Sequence, residues 1–418
     1  MSEWRPFVFS LTLLTVLLGT AGLLLRRALP PWWARRWVRR LYAALCFAAV
    51  AVLATWTFGI AVGDRGWSAV GIRGAWLVFA YAFPLAVGLG GSALVMVPAR
   101  LLAKRTPARA TAPAALRNAG EGPAARAPDG EPALGRRQLV QAVAASFPVG
   151  AVATSTAGLW EGSRTPGVPR IPVLTPGLPP GLEGLRVLQL TDLHLGFFFR
   201  APDVERFLAS LAPADQPDLI VFTGDIADDL RELGPVLRIA SERRPRLGVL
   251  GVVGNHEHFR GLPAVRRVFD ASPVPLLFNG GTALPVAGST LHVAGIDDPG
   301  VRRLGDEEHF ARTIDAALDG APSDAFHLLL SHRPEGFDVA ARRGVHLTLA
   351  GHTHGGQVGI GGRSAFEGMT RNRYLWGMYE RGPSRLYTSA GFGHWMPVRL
   401  GCPREAPLLV LTGGSASG

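Results

Sequence analysis

Asp192 and His194 stand two residues apart in Thr191-Asp192-Leu193-His194, directly behind the apolar run Arg186–Leu190. On an extended chain such neighbours face the same side, so a carboxylate oxygen and an imidazole nitrogen can converge on one cation. Four further polar clusters follow apolar runs in the same way. Thr223-Gly224-Asp225 offers a carboxylate whose two oxygens can bridge two ions, beside a glycine that permits close approach. Gly254-Asn255-His256-Glu257 offers a neutral carbonyl oxygen from Asn255 and leaves His256 for proton transfer. His332 follows Leu328-Leu329-Leu330-Ser331, and Gly351-His352-Thr353-His354-Gly355-Gly356 sets two imidazoles two residues apart among small neighbours. Each cluster alone would pass for an ordinary polar turn or a packed histidine. Five in succession, each behind a strand-like run, point to a metal site gathered where the strands of an α/β domain end.

Other chemistries are excluded by composition. Lys104 is the only lysine among 43 basic residues, so neither a Schiff-base lysine nor a phosphate-binding loop ending in Lys-Ser/Thr has a candidate. Cys46 and Cys402 lie too far apart in sequence to read as a disulfide framework or a thiolate zinc cage. All eleven histidines fall between His194 and His394, which confines histidine chemistry to the second half.

The ordered pattern Asp-x-His, Gly-Asp, Gly-Asn-His-Glu, His and Gly-His-x-His resembles the calcineurin-like metallophosphoesterase superfamily over roughly residues 168–412. Thr191–Gly196 and Gly351–Gln357 are similar to the opening and closing motifs of its bacterial membrane-associated branch. The resemblance implies an α/β fold, a four-layer sandwich of two β-sheets flanked by helices. It implies two divalent metal ions, of Mn, Fe or Zn type, with Asp192, His194 and His354 holding one, Asn255, His332 and His352 the other, and Asp225 bridging them. His256 would be the proton donor of a phosphohydrolase acting on a phosphodiester or pyrophosphate. Two aspartates offset only part of the charge of two dications, which suits an anionic phosphate, and paired ions favour in-line displacement at phosphorus. The non-enzymatic alternative is a metal-binding sensor or interaction module that keeps the fold without turnover.

His258, His292, His309, His327 and His346 read as surface or packing residues. His394, in Gly391-Phe392-Gly393-His394, lies in a turn that resembles a late family segment near the site and is a candidate substrate contact. Phe197, Phe198 and Phe199 come directly after the first ligand pair, and alternation on a strand cannot point all three inward. They are expected either to form an apolar rim that receives an acyl chain, with Tyr374, Trp376, Met378 and Tyr379, or to fill a satellite core.

The elements that must carry this site occupy residues 185–418. Strands are predicted near Arg186–Leu190, Asp218–Thr223, Leu247–Val253, Thr290–Gly295, Phe326–Leu330 and His346–Ala350, with helices over Asp203–Leu211, Glu307–Leu318 and Glu335–Arg342. A proline-rich stretch, residues 160–184, reads as a linker and the start of the domain.

The first half differs in kind. Phe7–Leu25, Leu41–Gly63 and Ala75–Val97 contain no charged residue, and each suffices to cross a hydrocarbon core that needs ~20 residues. Leu139–Leu159 is a weaker fourth candidate, with Gln141 and Pro148; its alternative is a surface helix. Residues 1–184 hold 19 basic and 7 acidic side chains, while residues 185–418 hold 24 and 25. The basic excess lies in clusters flanking apolar runs, six arginines in Arg26–Arg40 and eight basic residues in Pro98–Gln138, which is how membrane topology is written. Nucleic acid is therefore not an expected partner; the lipid bilayer is. Residues 98–138 read as a flexible basic loop, and these clusters are expected on the cytoplasmic side. If the fourth run crosses, as this reading favours, the catalytic domain is extracytoplasmic. Membrane tethering favours a lipid or lipid-linked substrate. A transporter is disfavoured because the spans carry no internal charge.

Overall fold

The apolar runs of the first half fold as helices α1 (Trp4–Ala28), α3 (Arg36–Ala61), α4 (Arg65–Arg105) and α5 (Arg136–Ser163), with a short α2 (Pro30–Trp33) after the first. In the computed structural model, which describes residues 4–105, 135–300, 307–394 and 396–414, the chain divides into units Met1–Thr156 and Ala157–Gly418. Four helical segments are long and apolar enough to cross a bilayer: Phe7–Ala28, Arg36–Ala61, Gly66–Leu101 and Gln138–Ser163. This places the chain at a membrane, where helices satisfy their own backbone groups.

Two sequence boundaries shift. The stretch Asp64–Gly74 is almost entirely helical, because Asp64 Oδ1 accepts from the Gly66 and Trp67 amides and starts α4 at once. At its other end α4 runs through Arg105, so the first part of the basic loop is helix; residues 106–134 lie outside the described residues. Small residues let the helices of this unit approach. A Cβ on Gly71 would fall 2.5 Å from Trp56, one on Gly91 would fall 2.8 Å from Phe147, and Ser92 Oγ donates to the Ala144 carbonyl at 2.6 Å.

The second unit contains two sheets. One has the order β1 (Arg170–Leu174), β13 (Leu408–Thr412), β2 (Arg186–Leu190), β3 (Leu219–Thr223), β4 (Val249–Val252). The other runs β11 (Gly377–Arg381), β12 (Ser384–Thr388), β8 (Leu347–Ala350), β7 (Phe326–Leu330), β6 (Ser289–Gly295), β5 (Gly280–Val286). Between them lies an apolar layer including Val187, Val221, Leu250, Leu291, Val293, Leu328 and Leu349. Helices α6 (Ala201–Ala209), α7 (Leu230–Glu242) and α9 (Leu262–Asp270) cover the outer face of the first sheet. Helices α10 (Glu307–Leu318) and α11 (Phe337–Arg342) cover the second. The result is the expected four-layer α/β sandwich. A small hairpin, β9 (Gly359–Ile360) with β10 (Arg363–Ser364), follows the last histidine pair.

Strands β2, β3 and β4 are parallel, as are β6, β7, β8 and β12, so their C-terminal ends collect at one edge of the sandwich. The segment expected to be a linker is structured: α5 continues to Ser163 and β1 pairs with β13. Pro172 is tolerated because β1 is an edge strand.

Candidate metal centre

Each of the five clusters begins where one of these strands stops. β2 leads into Asp192 and His194, β3 into Asp225, β4 into α8 (Asn255–Arg260), β7 into His332 and β8 into His352 and His354. The turns are tight. Asp192, His194, Asp225, His352 and His354 all have φ between 49° and 69°. Non-glycine residues rarely adopt that left-handed conformation, and local strain of this kind clusters at functional sites. Gly351 allows β8 to end against β2, since a Cβ there would lie 2.1 Å from Asp192 Oδ2.

Three groups of ligand atoms result among the described residues. Asp192, His194 and His354 form the first, Asp225, His332 and His352 the second, and His194, Asp228 and His256 a third that overlaps the first at His194, with ligand atoms within 4.8 Å of one another in each. His194 Nε2 is 3.2 Å from His354 Nε2, and His354 Nε2 is 3.4 Å from Asp192 Oδ1. In the second group, His332 Nε2 is 3.2 Å from both Asp225 Oδ2 and His352 Nδ1. Asp225 lies between the first two groups, its Oδ2 3.8 Å from His194 Nε2. Asn255 Oδ1 is buried without a hydrogen-bond partner, as a metal-ligating carbonyl oxygen would be. Imidazole nitrogens converging on one another and on carboxylates, with an orphaned amide oxygen beside them, form a donor set that fits divalent cations.

Hydrogen bonds aim these groups. His332 Nδ1 donates to the Thr223 carbonyl at 2.9 Å, which turns Nε2 inward. The Glu257 carboxylate accepts from the amides of Gly254, Asp225 and Ile226, each at 2.8 Å, and so ties the end of β3 to α8. Asp228 pairs with His194 Nδ1 at 3.1 Å through Oδ2 and with His256 Nδ1 at 2.6 Å through Oδ1. Burial would raise the Asp225 carboxyl, but the imidazoles of His332, His256 and His194 outweigh it and hold it well below the usual range. Burial would likewise lower His256; Asp225 and Asp228 overcome it and push it up to about 9.

Asp228 and the bracing role of Glu257 were not assigned from sequence. The signal for Asp228 is its spacing, three residues after Asp225 in Gly224-Asp225-Ile226-Ala227-Asp228, with a turn that brings it back beneath His194. Two arginines also escaped notice: Arg333 Nη1 lies 2.6 Å from His352 Nε2, and Arg260 Nη2 donates to Asp228 Oδ1 at 2.9 Å.

Of the two alternatives for the aromatic candidates, rim or satellite core, their packing is nearer the second. Phe197, Phe198 and Phe199 are all half-buried, none exposed. Phe198 and Phe199 meet the buried His394 edge-on at 5.1 and 5.0 Å, and Arg404 lies over Phe199 at 4.2 Å. Trp376 is buried with Nε1 donating to Glu405, while Tyr374 and Tyr379 pack on one another, so this segment fills structure. The exposed apolar side chain beside the ligands is Phe259, 54% exposed and 5.4 Å from the His256 ring. Ile360, Phe366 and Met369, in and after the β9–β10 hairpin, are also exposed. His258 pairs with Asp297, and His292, His327 and His346 pack together on neighbouring strands, outside the ligand groups.

Residues 185–356, which span all five clusters, match the family model for calcineurin-like phosphoesterases. Residues 185–356 are a calcineurin-like phosphoesterase domain. The chain is similar to the metallophosphoesterase YkuE of Bacillus subtilis, 28% identical over 241 residues, which cover 56% of this chain and 81% of that protein. It is also similar to a bovine transmembrane protein with metallophosphoesterase domain, 29% identical over 272 residues, 62% of this chain and 60% of the other. Among solved structures, the phosphopantetheinyl hydrolase of Mycobacterium tuberculosis aligns over 52% of this chain and 96% of its own, with a TM-score of 0.34 and 14% identity. The domain is that of metal-dependent phosphoesterases, and its buried histidine and aspartate groups fit a divalent metal.

Proposed function

We propose that this metallophosphoesterase is a membrane-anchored hydrolase with a two-metal centre, cleaving a phosphodiester or pyrophosphate bond in a lipid-linked substrate. The observation that carries this reading is the position of Asp225, a member of the group with His332 and His352 whose Oδ2 is also 3.8 Å from His194 Nε2 and 3.8 Å from His256 Nε2. Asp192, His194 and His354 would hold one ion, Asn255, His332 and His352 the other, and Asp225 would serve both. When bound, such ions supply Lewis acidity at phosphorus and lower the pKa of a water. The chain's own residues do the rest. Asp228 fixes the His256 ring through Nδ1 and so directs Nε2, 3.8 Å from Asp225 Oδ2, toward the space where a phosphoryl group would sit. His256, with the Asp228 carboxylate behind its Nδ1, can then deliver a proton to the departing oxygen.

Phe259 supports an apolar leaving group. It is exposed next to the proton donor, so the group that departs from His256 meets an aromatic face. Phe197, Phe198, Phe199 and His394 are second-line candidates for substrate contact, behind that face. The test is metal analysis of the purified full chain together with hydrolysis of an aryl phosphodiester, an aryl monoester and a lipid pyrophosphate. Two metal equivalents with turnover of a diester or pyrophosphate are expected; metal binding without turnover of any of the three would favour the sensor reading. Phe259→Ser should then lower kcat/KM about tenfold on the lipid substrate, as loss of part of a buried side chain worth ~1.5–3 kcal/mol implies, and little on the small diester. Equal losses on both would sink the apolar leaving-group site.

A further inference from the structure

Arg399 is the bulkiest of the fully buried side chains, and among the described residues no carboxylate pairs with it. A buried cation needs such partners or their equivalent. Arg399 finds them in loop carbonyls: Nη1 donates to Ala390 O and Nη2 to Gly393 O, each at 2.8 Å, while Nη2 also stands 3.2 Å from Nδ1 of His354. The guanidinium therefore ties the turn around residue 390 and stands behind an imidazole whose Nε2 faces His194 and Asp192; an Nε2 that ligates leaves the proton on Nδ1, so two donors meet there and Arg399 bounds the ring by packing, while its backbone ties the turn that carries His354.

The backbone of Arg399 is itself held from an unexpected direction. Its amide donates to Gly158 O at 2.9 Å, and the Gly401 amide donates to Glu161 Oε2 at 2.8 Å. Both acceptors belong to the last turns of α5, which lie in the second unit. The approach is possible only because the helix is bare there. A Cβ at Gly158 would fall 2.6 Å from Val398 Cγ1, and one at Gly162 would fall 2.4 Å from Pro397 O. Residues four apart share a helix face, so both glycines open one groove for the same strand of chain. On the far side of that strand, Gln357 Nε2 donates to Met396 O and Val398 O at 2.8 Å, and the Leu400 amide donates to Gln357 O at 2.9 Å. Residues 396–401 are thus clamped between the end of α5 and the turn that carries His354.

We propose that Ala157–Ser163 of α5 and Arg399 form a strut that positions the metal ligand His354, so that the end of a helix read as a membrane span belongs to the metal centre. Arg399 is a positioning residue, acting through His354. The inference rests on the two-metal reading above. The support acts through the backbone clamp and the packing behind the ring, and loss of the structure that orients a ligating imidazole typically weakens metal affinity 10–100-fold.

The test uses the full chain in detergent, stripped with chelator and titrated with Mn²⁺, reading bound metal by elemental analysis and by electron paramagnetic resonance. The wild type should load two equivalents. Arg399→Gln and Gly162→Leu should load one at concentrations that saturate the wild type, the second binding 10–100-fold more weakly and the spectrum turning to that of isolated Mn²⁺. Glu161→Ala should shift in the same direction. Glu161→Gln keeps an oxygen that accepts from Gly401 and should restore both equivalents. Gly150→Leu, on the same helix where a Cβ meets nothing within 4 Å, should load as the wild type does. Should Gly162→Leu fail to fold, the Glu161 pair decides. Two equivalents with wild-type affinity in Glu161→Ala and Arg399→Gln would overturn the strut, even with a lowered melting temperature, since that is what a merely structural contact predicts. A wild type that never loads two equivalents would instead defeat the two-metal reading.

Discussion

Asp225 Oδ2 lies between His332 on one side and His194 and His256 on the other, so in the proposed two-metal centre its removal would strip a ligand from both ions at once. Asp225→Ala should lose both ions or nearly so, read by elemental analysis after dialysis. His256→Ala should keep them and slow turnover about 10²–10⁴-fold, the scale of general acid catalysis. The reverse pattern would exchange their roles. Asp228→Asn tests the shared carboxylate: an amide offers one acceptor where His194, His256 and Arg260 need two oxygens. It should lower kcat roughly 10–100-fold with smaller loss of metal; unchanged kcat would show that neither imidazole depends on it. At this scale the clustered residues were legible because Asp-x-His, Gly-Asp and Gly-His-x-His fix residue type and local spacing together. Asp228 and Arg399 were not, because what defines them is the turn or strand brought against them, and nothing in their own type distinguishes them from other buried charges.

The ends of β2 and β8 meet so closely that the element boundary is itself a functional constraint. Gly351→Ala would place a methyl 2.1 Å from Asp192 Oδ2 and 2.2 Å from Thr191 Oγ1. We expect a clear fall in melting temperature together with loss of metal, whereas a fully loaded, wild-type-stable variant would mean the strand ends separate easily. Strands β2 and β7 match their predicted bounds, since dense apolar runs between polar turns suit buried parallel strands. Edge elements were harder. β1 hides in a proline-rich stretch and is a strand only because β13 returns beside it, and β11 carries the mixed pattern of an exposed edge. α4 was underestimated because its first and last turns are polar; its 41 residues span about 60 Å, twice a ~30 Å hydrocarbon core.

For the whole molecule, the division of charge is what a proposal of sidedness rests on. If the basic clusters at residues 26–40 and 98–138 stay inside, as the positive-inside rule predicts, α5 would carry the chain out and the metallophosphoesterase domain would face the exterior. Protease added to intact spheroplasts should digest residues 168–418. Protection until lysis would give a cytoplasmic enzyme with α5 left on the inner face. The acid-base balance of the second half is nearly even, so any attraction for phosphate comes from the centre itself.

The left-handed backbone at Asp192, His194, Asp225, His352 and His354 limits how this centre could change its metal. Aspartate, asparagine and histidine are the non-glycine residues that tolerate such φ values best, and they are also hard or borderline ligands. Cysteine or glutamate at these positions would be opposed by the chain before coordination chemistry was consulted. The turns therefore act as a filter on heredity: a thiolate at any of these five positions would carry a backbone cost of roughly 1–2 kcal/mol on top of the change of ligand.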